Sequence, residues 1–432
     1  STVTGADVVV LSGARNATIA VVDSTLTGAV VASVLSSAVG VSLTISNSTL
    51  SATRYAASVV GATIRDVAIA VTDSRLTLAG ADNVGVVALA AATVFNAAVN
   101  VTASSVTCKA GSYVGVLGAG SYGGVTWTNV TVSAALANVT STAGDYAGVL
   151  GAGCGDNGVN WTNVTVSAAL SNVTSTASGA VGVLGAGSYS SVSWTNVTLS
   201  AALANVTSTA GGAVGVLGAG SNFGVSWTNV AVSAALVNVT STAREYVGVL
   251  GAGSNSGVSW TNVTVSAALA NVTSAASDYV GVLGAGSYGG VSWTNVTVFA
   301  ALANVTSTAR DYAGVLGAGS NRGVTWTNVT VSAALANVTS AARDYVGVFG
   351  AGSNSGAVSW TNVTVSAALA NVTSTATGNY VGVLGAGSSN GVSWTNVTVS
   401  AAVANVTSTA RDYAGVLGAG CGDNGVTWTN VT

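Results

Sequence analysis

The chain has 432 residues, room for two or three ordinary domains, yet only 5% of them are charged, where ~25% is typical of a soluble protein. It has no Pro, His or Met, and its 56 Gly lie among Ala, Val, Ser, Thr and Asn. A net charge of −3 excludes the basic face that nucleic acid requires, and without His there is no ordinary general base.

A mean hydropathy of +0.62 raises the question of a membrane span, which needs ~20 consecutive apolar residues. The two best stretches, Ala29–Ile45 and Val84–Val101, are interrupted by Ser, Gly or Asn. Their β-branched residues recur at strand spacing, so no membrane span is expected in this segment. The chain opens without an initiator Met or signal-like segment and closes in mid-repeat, so both ends read as cuts in a longer polypeptide.

Residues 1–107 form a divergent part with a short recurring apolar pattern. Ile19-Ala-Val21 with Leu26 aligns with Leu43-Thr-Ile45 with Leu50, then with Ile69-Ala-Val71 with Leu76, then with Val99-Asn-Val101 with Val106. The steps are 24, 26 and 30 residues, and the next, to Val132, is 33. A fixed apolar pattern followed by a segment of growing length predicts stacked coils whose turns absorb the length changes.

Residues 108–432 are an array of near-identical repeats of 33 or 34 residues, marked by ten tryptophans: Trp127, Trp161, Trp194, Trp227, Trp260, Trp293, Trp326, Trp360, Trp394 and Trp428. The unit reads approximately VSWTNVTVSAALANVTSTARDYVGVLGAGSNSG. Val130, Val132, Ala134 and Leu136 alternate with Thr131, Ser133 and Ala135, which is strand periodicity. Val139 opens a second short strand after a bend at Ala137-Asn138, and Tyr146–Leu150 gives a third. Gly151, Gly153 and the variable segment after them predict a wide turn.

The fold class expected is therefore all-β, a parallel β-solenoid of about thirteen coils with 24–34 residues each. Its interior is expected to be ladders of Val, Leu, Ala and Tyr. The motif in which two alternating apolar residues precede Asp23-Ser24, Asn47-Ser48 or Asp73-Ser74, with Leu two residues on, resembles coils of the right-handed parallel β-helix family. The resemblance implies right-handed winding and a likeness to heavily N-glycosylated extracellular fibre or coat proteins.

The asparagines carry the functional signal, because Asn-x-Ser/Thr is the acceptor for N-linked glycans. The array holds nineteen equivalent asparagines, and eighteen have Thr at +2. Those following a tryptophan are Asn129, Asn163, Asn196, Asn262, Asn295, Asn328, Asn362, Asn396 and Asn430, with Asn229 the exception because Ala231 follows it. Those nine residues further on are Asn138, Asn172, Asn205, Asn238, Asn271, Asn304, Asn337, Asn371 and Asn405. Asn16, Asn47 and Asn100 are sequons upstream, while Trp161 hinders the formal sequon at Asn160. Two outward columns of glycans are the expectation, and they would supply solubility that the charge does not. The other reading is unmodified Asn ladders, which stabilise stacked strands.

Each tryptophan lies two residues before an Asn, as in aromatic sequons, so all ten are candidates to stack beneath a first sugar. A buried tryptophan ladder is the competing reading.

Other chemistry is sparse. Gly118-x-Gly120-x-x-Gly123 and Gly284-x-Gly286-x-x-Gly289 match a dinucleotide fingerprint by letters, but no helix pattern follows them. Acidic residues come singly, as in Arg310-Asp311-Tyr312 and Arg343-Asp344-Tyr345, and predict an ion-pair edge. Asp156 and Asp423 offer one carboxylate per turn, too few for calcium. Three cysteines, Cys108, Cys154 and Cys421, leave at least one unpaired or bonded to another chain. Cys154 and Cys421 are equivalent turn positions and candidates for an intermolecular disulfide. No catalytic residues, metal or cofactor are expected beyond covalent N-linked glycans.

These readings converge on a structural extracellular glycoprotein, a rod that assembles head-to-tail or laterally with itself into a filament or surface coat. Other glycans or surface proteins are further candidate partners. The alternatives are an adhesin displaying the varied turns Ser121–Gly124, Ser221–Gly224 and Ser254–Gly257, and an ice-binding solenoid using outward Thr such as Thr126 and Thr128.

Overall fold

The computed structural model describes residues 2–5, 7–12, 15–35, 38–80, 83–85, 89–116, 119–121, 125–150, 152–154, 158–188, 190–221, 223–353, 355–378, 380–384, 386–388, 390–415, 419–421 and 425–432. The chain divides into two units, Ser1–Gly212 and Ala213–Thr432. Each is a parallel β-solenoid, and the described residues contain no helix. The described parts of both apolar stretches noted above lie on strands.

In the first unit the short coils stack in the register that their spacing predicts. Ile19 and Val21 lie opposite Leu43 and Ile45, and these lie opposite Ile69 and Val71. Val99 and Val101 come next, then Val132 and Ala134. Leu26 likewise meets Leu50, and Leu76 meets Val106. The Ser of the recurring motif ties neighbouring coils together. Ser48 Oγ donates to the Ser46 carbonyl at 2.7 Å and accepts the Ser24 N–H at 3.2 Å.

From Val125 onward the coil takes its full length, in about nine turns. Each has one long strand and two short ones, as in Val125–Thr142, Tyr146–Gly148 and Ala152–Cys154 of the first unit. The second unit repeats this six times, from Val225–Ala243 to Val392–Thr409. Within each unit the strand residues meet their own copies in the next coil, as Val291 meets Val324, Trp293 meets Trp326 and Leu302 meets Leu335.

The alternation of the long strand sorts its side chains. Val130, Val132, Ala134 and Leu136 are buried, while Thr131, Ser133 and Ala135 are exposed. Burying a Val or Leu side chain contributes about 1.5–3 kcal/mol, and each coil buries several. The alternation breaks twice, at Thr128-Asn129 and at Ala137-Asn138. The bend expected at the second place is present, and another precedes it. Three straight segments therefore turn around two corners within one strand.

The segment expected to be a wide turn also holds structure. Ala252–Ser254 and its copies pair in parallel as a second, narrower sheet. Small residues make this possible. A Cβ on Gly286 would lie 2.5 Å from the Val280 carbonyl oxygen and 2.8 Å from that of Tyr312.

Candidate functional site

Asn129 and Asn138 have φ of 56° and 54°, the left-handed region that L-residues avoid. Among the described residues every non-glycine at positive φ is Asn or Asp. These two side chains tolerate the conformation because they hydrogen-bond locally. Twenty of the twenty-one sequon asparagines sit at such corners, with Asn100 on a straight outward segment instead. All twenty-one are exposed.

The corner amides form ladders along each unit. In the first, Asn129 Nδ2 donates to Asn96 Oδ1, Asn163 to Asn129, and Asn196 to Asn163, each at 3.0 Å. In the second, Asn262 donates to Asn229 at 2.9 Å, and Asn295, Asn328, Asn362, Asn396 and Asn430 continue at 3.0 Å. A parallel ladder joins Asn238, Asn271, Asn304, Asn337, Asn371 and Asn405 at 2.9–3.1 Å. The first column extends back through Asn96, Asp66 and Gly40 to Asn16, all at positive φ.

Two demands therefore meet at one residue. The first-column corner carries Asn, Asp or Gly whether or not a sequon is present: Gly40, Asp66, Asn96 and Asn229 keep the corner without one. The Thr at +2 is a separate feature. Thr131 and Thr140 both point outward, as do their copies Thr264, Thr330, Thr273 and Thr306. An amide nitrogen carries two hydrogens, so attaching a sugar at Nδ2 leaves one for the ladder.

The tryptophans are not beneath the corners. Trp127, Trp161, Trp194, Trp227, Trp260, Trp293, Trp326, Trp360 and Trp394 are at most 1% exposed. Their indoles stack on one another. Centroids lie 5.0–5.1 Å apart within the first unit and 4.7–4.8 Å from Trp227 to Trp394 in the second. This corrects the expectation of sugar stacking on these nine. Burial against the neighbouring coils leaves no exposed indole face for a pyranose. Trp428 is 55% exposed and stacks on Trp394 at 5.7 Å. The signal for the inward orientation is the Val two residues before each Trp, buried at Val125, Val159 and Val258.

The charged residues form the expected ion-pair edge in the second unit. Asp311 accepts from Arg310 Nε at 3.2 Å and from Arg343 at 3.1 Å, and Arg310 also reaches Asp278 at 3.1 Å. Burial raises the carboxyls of Glu245 and Asp278 above their ordinary range, with like charge adding to it and Arg neighbours opposing. Behind this edge Tyr246, Tyr279 and Tyr312 stack at 5.1–5.4 Å.

Cys108 is a buried free thiol whose pKa burial pushes up, so it is held as the unreactive thiol. The side chains of Cys154 and Cys421, and Gly118, Gly123, Asp156 and Asp423, lie outside the described residues. No group of three or more His, Cys, Asp or Glu among the described residues is placed to hold a metal. Among the described residues no helix is long and apolar enough to cross a membrane.

The chain matches no protein-family model, no curated protein and no solved structure.

Proposed function

We propose that the chain is a structural extracellular glycoprotein, a solenoid carrying two columns of N-linked glycans and assembling with itself into a filament or coat. The observation that carries this reading is the pairing of an exposed corner Asn with an outward Thr two residues on, twice per coil. The corner alone accounts for the Asn; it does not account for Thr at +2 in eighteen of nineteen array positions. A chain with 5% charged residues also needs another source of solubility, which glycans provide. Self-association follows from the same geometry, since each coil offers the next a full row of backbone groups and a second copy offers an identical row.

Mass spectrometry of Asn-containing peptides, before and after enzymatic deglycosylation, tests the reading. Glycans at the Asn129-type and Asn138-type positions are expected, and unmodified Asn throughout both columns overturns it.

A second reading, display of the varied turns to a partner, has one observation in its favour. Phe223 is 63% exposed in the Ser221–Gly224 turn and Tyr288 41% exposed in its copy Ser287–Gly290, with the Arg322 guanidinium 5.8 Å from the Tyr288 ring. Loss of cell attachment on Phe223→Ser with Tyr288→Ser would support display, and unchanged attachment would remove it.

A further inference from the structure

We infer that an apolar groove along the second unit seats the first sugars of the glycans on the Asn238-type corners, an inference that rests on the glycoprotein reading above. The groove has a volume of about 650 Å³ and runs from Ala235-Leu236-Val237 to Ala402-Val403-Ala404. In each of the six coils its lining is the three residues immediately before the corner Asn. Every lining side chain is Ala, Leu or Val, so the groove offers no charge and no side-chain hydrogen bond. Its occupant is therefore neutral and has an apolar face of its own.

A pyranose meets that description. One face presents C–H groups and the rim presents hydroxyls. Laying the C–H face on the Ala methyls removes apolar area from water on both sides, while the rim stays solvated. Corners follow one another at the ~4.8 Å strand spacing, less than the width of a ring lying flat, so every second corner delivers a ring to the groove.

Departures from the repeat add to the same surface. Val237, where the other coils of this unit have Ala, is 42% exposed and lines the groove. Phe299 stands where its partners are Ser266 and Ser332, and it is 50% exposed. It lies two residues before Ala301 on the same outward face, beyond the groove's own lining. A second copy is the weaker occupant. A stable dimer buries ~800 Å² per partner, whereas this groove is three residues wide and bordered by the Asn column.

The test uses protein secreted from a glycosylating host. In one variant Thr240, Thr273, Thr306, Thr339, Thr373 and Thr407 are changed to Ala, which removes the second-column sequons and keeps the Asn ladder. In a control Thr264, Thr297, Thr330, Thr364, Thr398 and Thr432 are changed to Ala, which removes the first-column sequons of this unit. Peptide mass spectrometry reads occupancy, and the fluorescence of anilinonaphthalene sulfonate reads exposed apolar surface. We expect dye binding to rise several-fold in the second-column variant and to stay low in the control. Trimming wild-type glycans to the innermost sugar should also leave it low, which needs no mutant to fold. Unchanged dye binding with the second-column glycans demonstrably lost overturns the inference and leaves the glycoprotein reading standing. Absence of glycans from wild-type Asn238 to Asn405 overturns both for this column. A glycosylated wild-type dimer that Ala301→Asp with Ala334→Asp dissociates gives the groove to a second copy and overturns the inference.

Discussion

Asn295 donates its Nδ2–H to Asn262 Oδ1 at 3.0 Å, and the two residues stand at φ of 55° and 54°. One side chain thus holds the backbone in a left-handed corner and ties that corner to its copy. We expect Asn295→Ala to destabilise unglycosylated protein by about 1–2 kcal/mol, the cost of placing a Cβ residue there. Asn295→Gly relieves the backbone and loses only the amide bonds, so its urea midpoint should fall between those of Asn295→Ala and the parent. A midpoint for Asn295→Gly below that of Asn295→Ala would contradict the backbone account.

Asn229 occupies the same ladder as Asn262, but Ala231 denies it a sequon. We expect Ala231→Thr to convert Asn229 into a glycosylated residue, read as one added glycan in the peptide mass. Asn96, a corner followed by Ala98, should stay unmodified in the parent chain. A glycan at Asn96 would sever the link between sequon and modification.

Trp326 lies between Trp293 and Trp360 at 4.8 and 4.7 Å and is fully buried. Trp326→Ala should cost about 3–5 kcal/mol, as for other large core truncations. Trp428→Ala should cost far less, since that ring is 55% exposed. Urea unfolding of the two variants side by side checks the order, and equal losses would count against the stacked core.

Glu245 is raised from its ordinary value of 4.5, first by burial and then by the Asp278 carboxylate. The folded state therefore binds its proton more tightly than the unfolded state does. The resulting stability is complete below the ordinary carboxylate range and is lost as pH rises through the folded value. Glu245→Gln should accordingly raise the thermal midpoint relative to the parent at pH ~7, with the difference closing by pH ~4. A difference that widens toward acid would reverse the sign and exclude burial as the cause.

The stacking was readable because the core imposes it. Val130, Val132 and Leu136 alternate with polar residues, and the steps from Ile19 to Val132 can lengthen only where nothing stacks. The corners were half readable. Nine residues between Asn129 and Asn138 is an odd count, which demanded one bend, and Asn138 supplies it. The bend at Asn129 was masked because Trp127 reads equally well as a sugar platform or as core. Only Val125, two residues earlier, shares its inward phase. The narrow sheet at Ala252–Ser254 was hidden for another reason: Gly and Ala give no alternation to read, since what matters there is how little space they take.

The residue-by-residue match between coils also has a consequence for folding and for inheritance. The strand Val324–Ala342 lies on Val291–Thr308, but Val258–Ala276 presents nearly the same surface one turn further back. Pairing energy alone barely distinguishes the two. Chain connectivity chooses between them, because the nearer coil closes the shorter loop at the smaller entropy loss. Two chains folding together therefore have many nearly equal ways to exchange coils. By the same token, deleting residues 291–323 would bring Val324 onto Val258 with valine on valine and tryptophan on tryptophan. The array is indifferent to its own copy number, so it can lengthen or shorten by whole turns without any interface having to be reinvented.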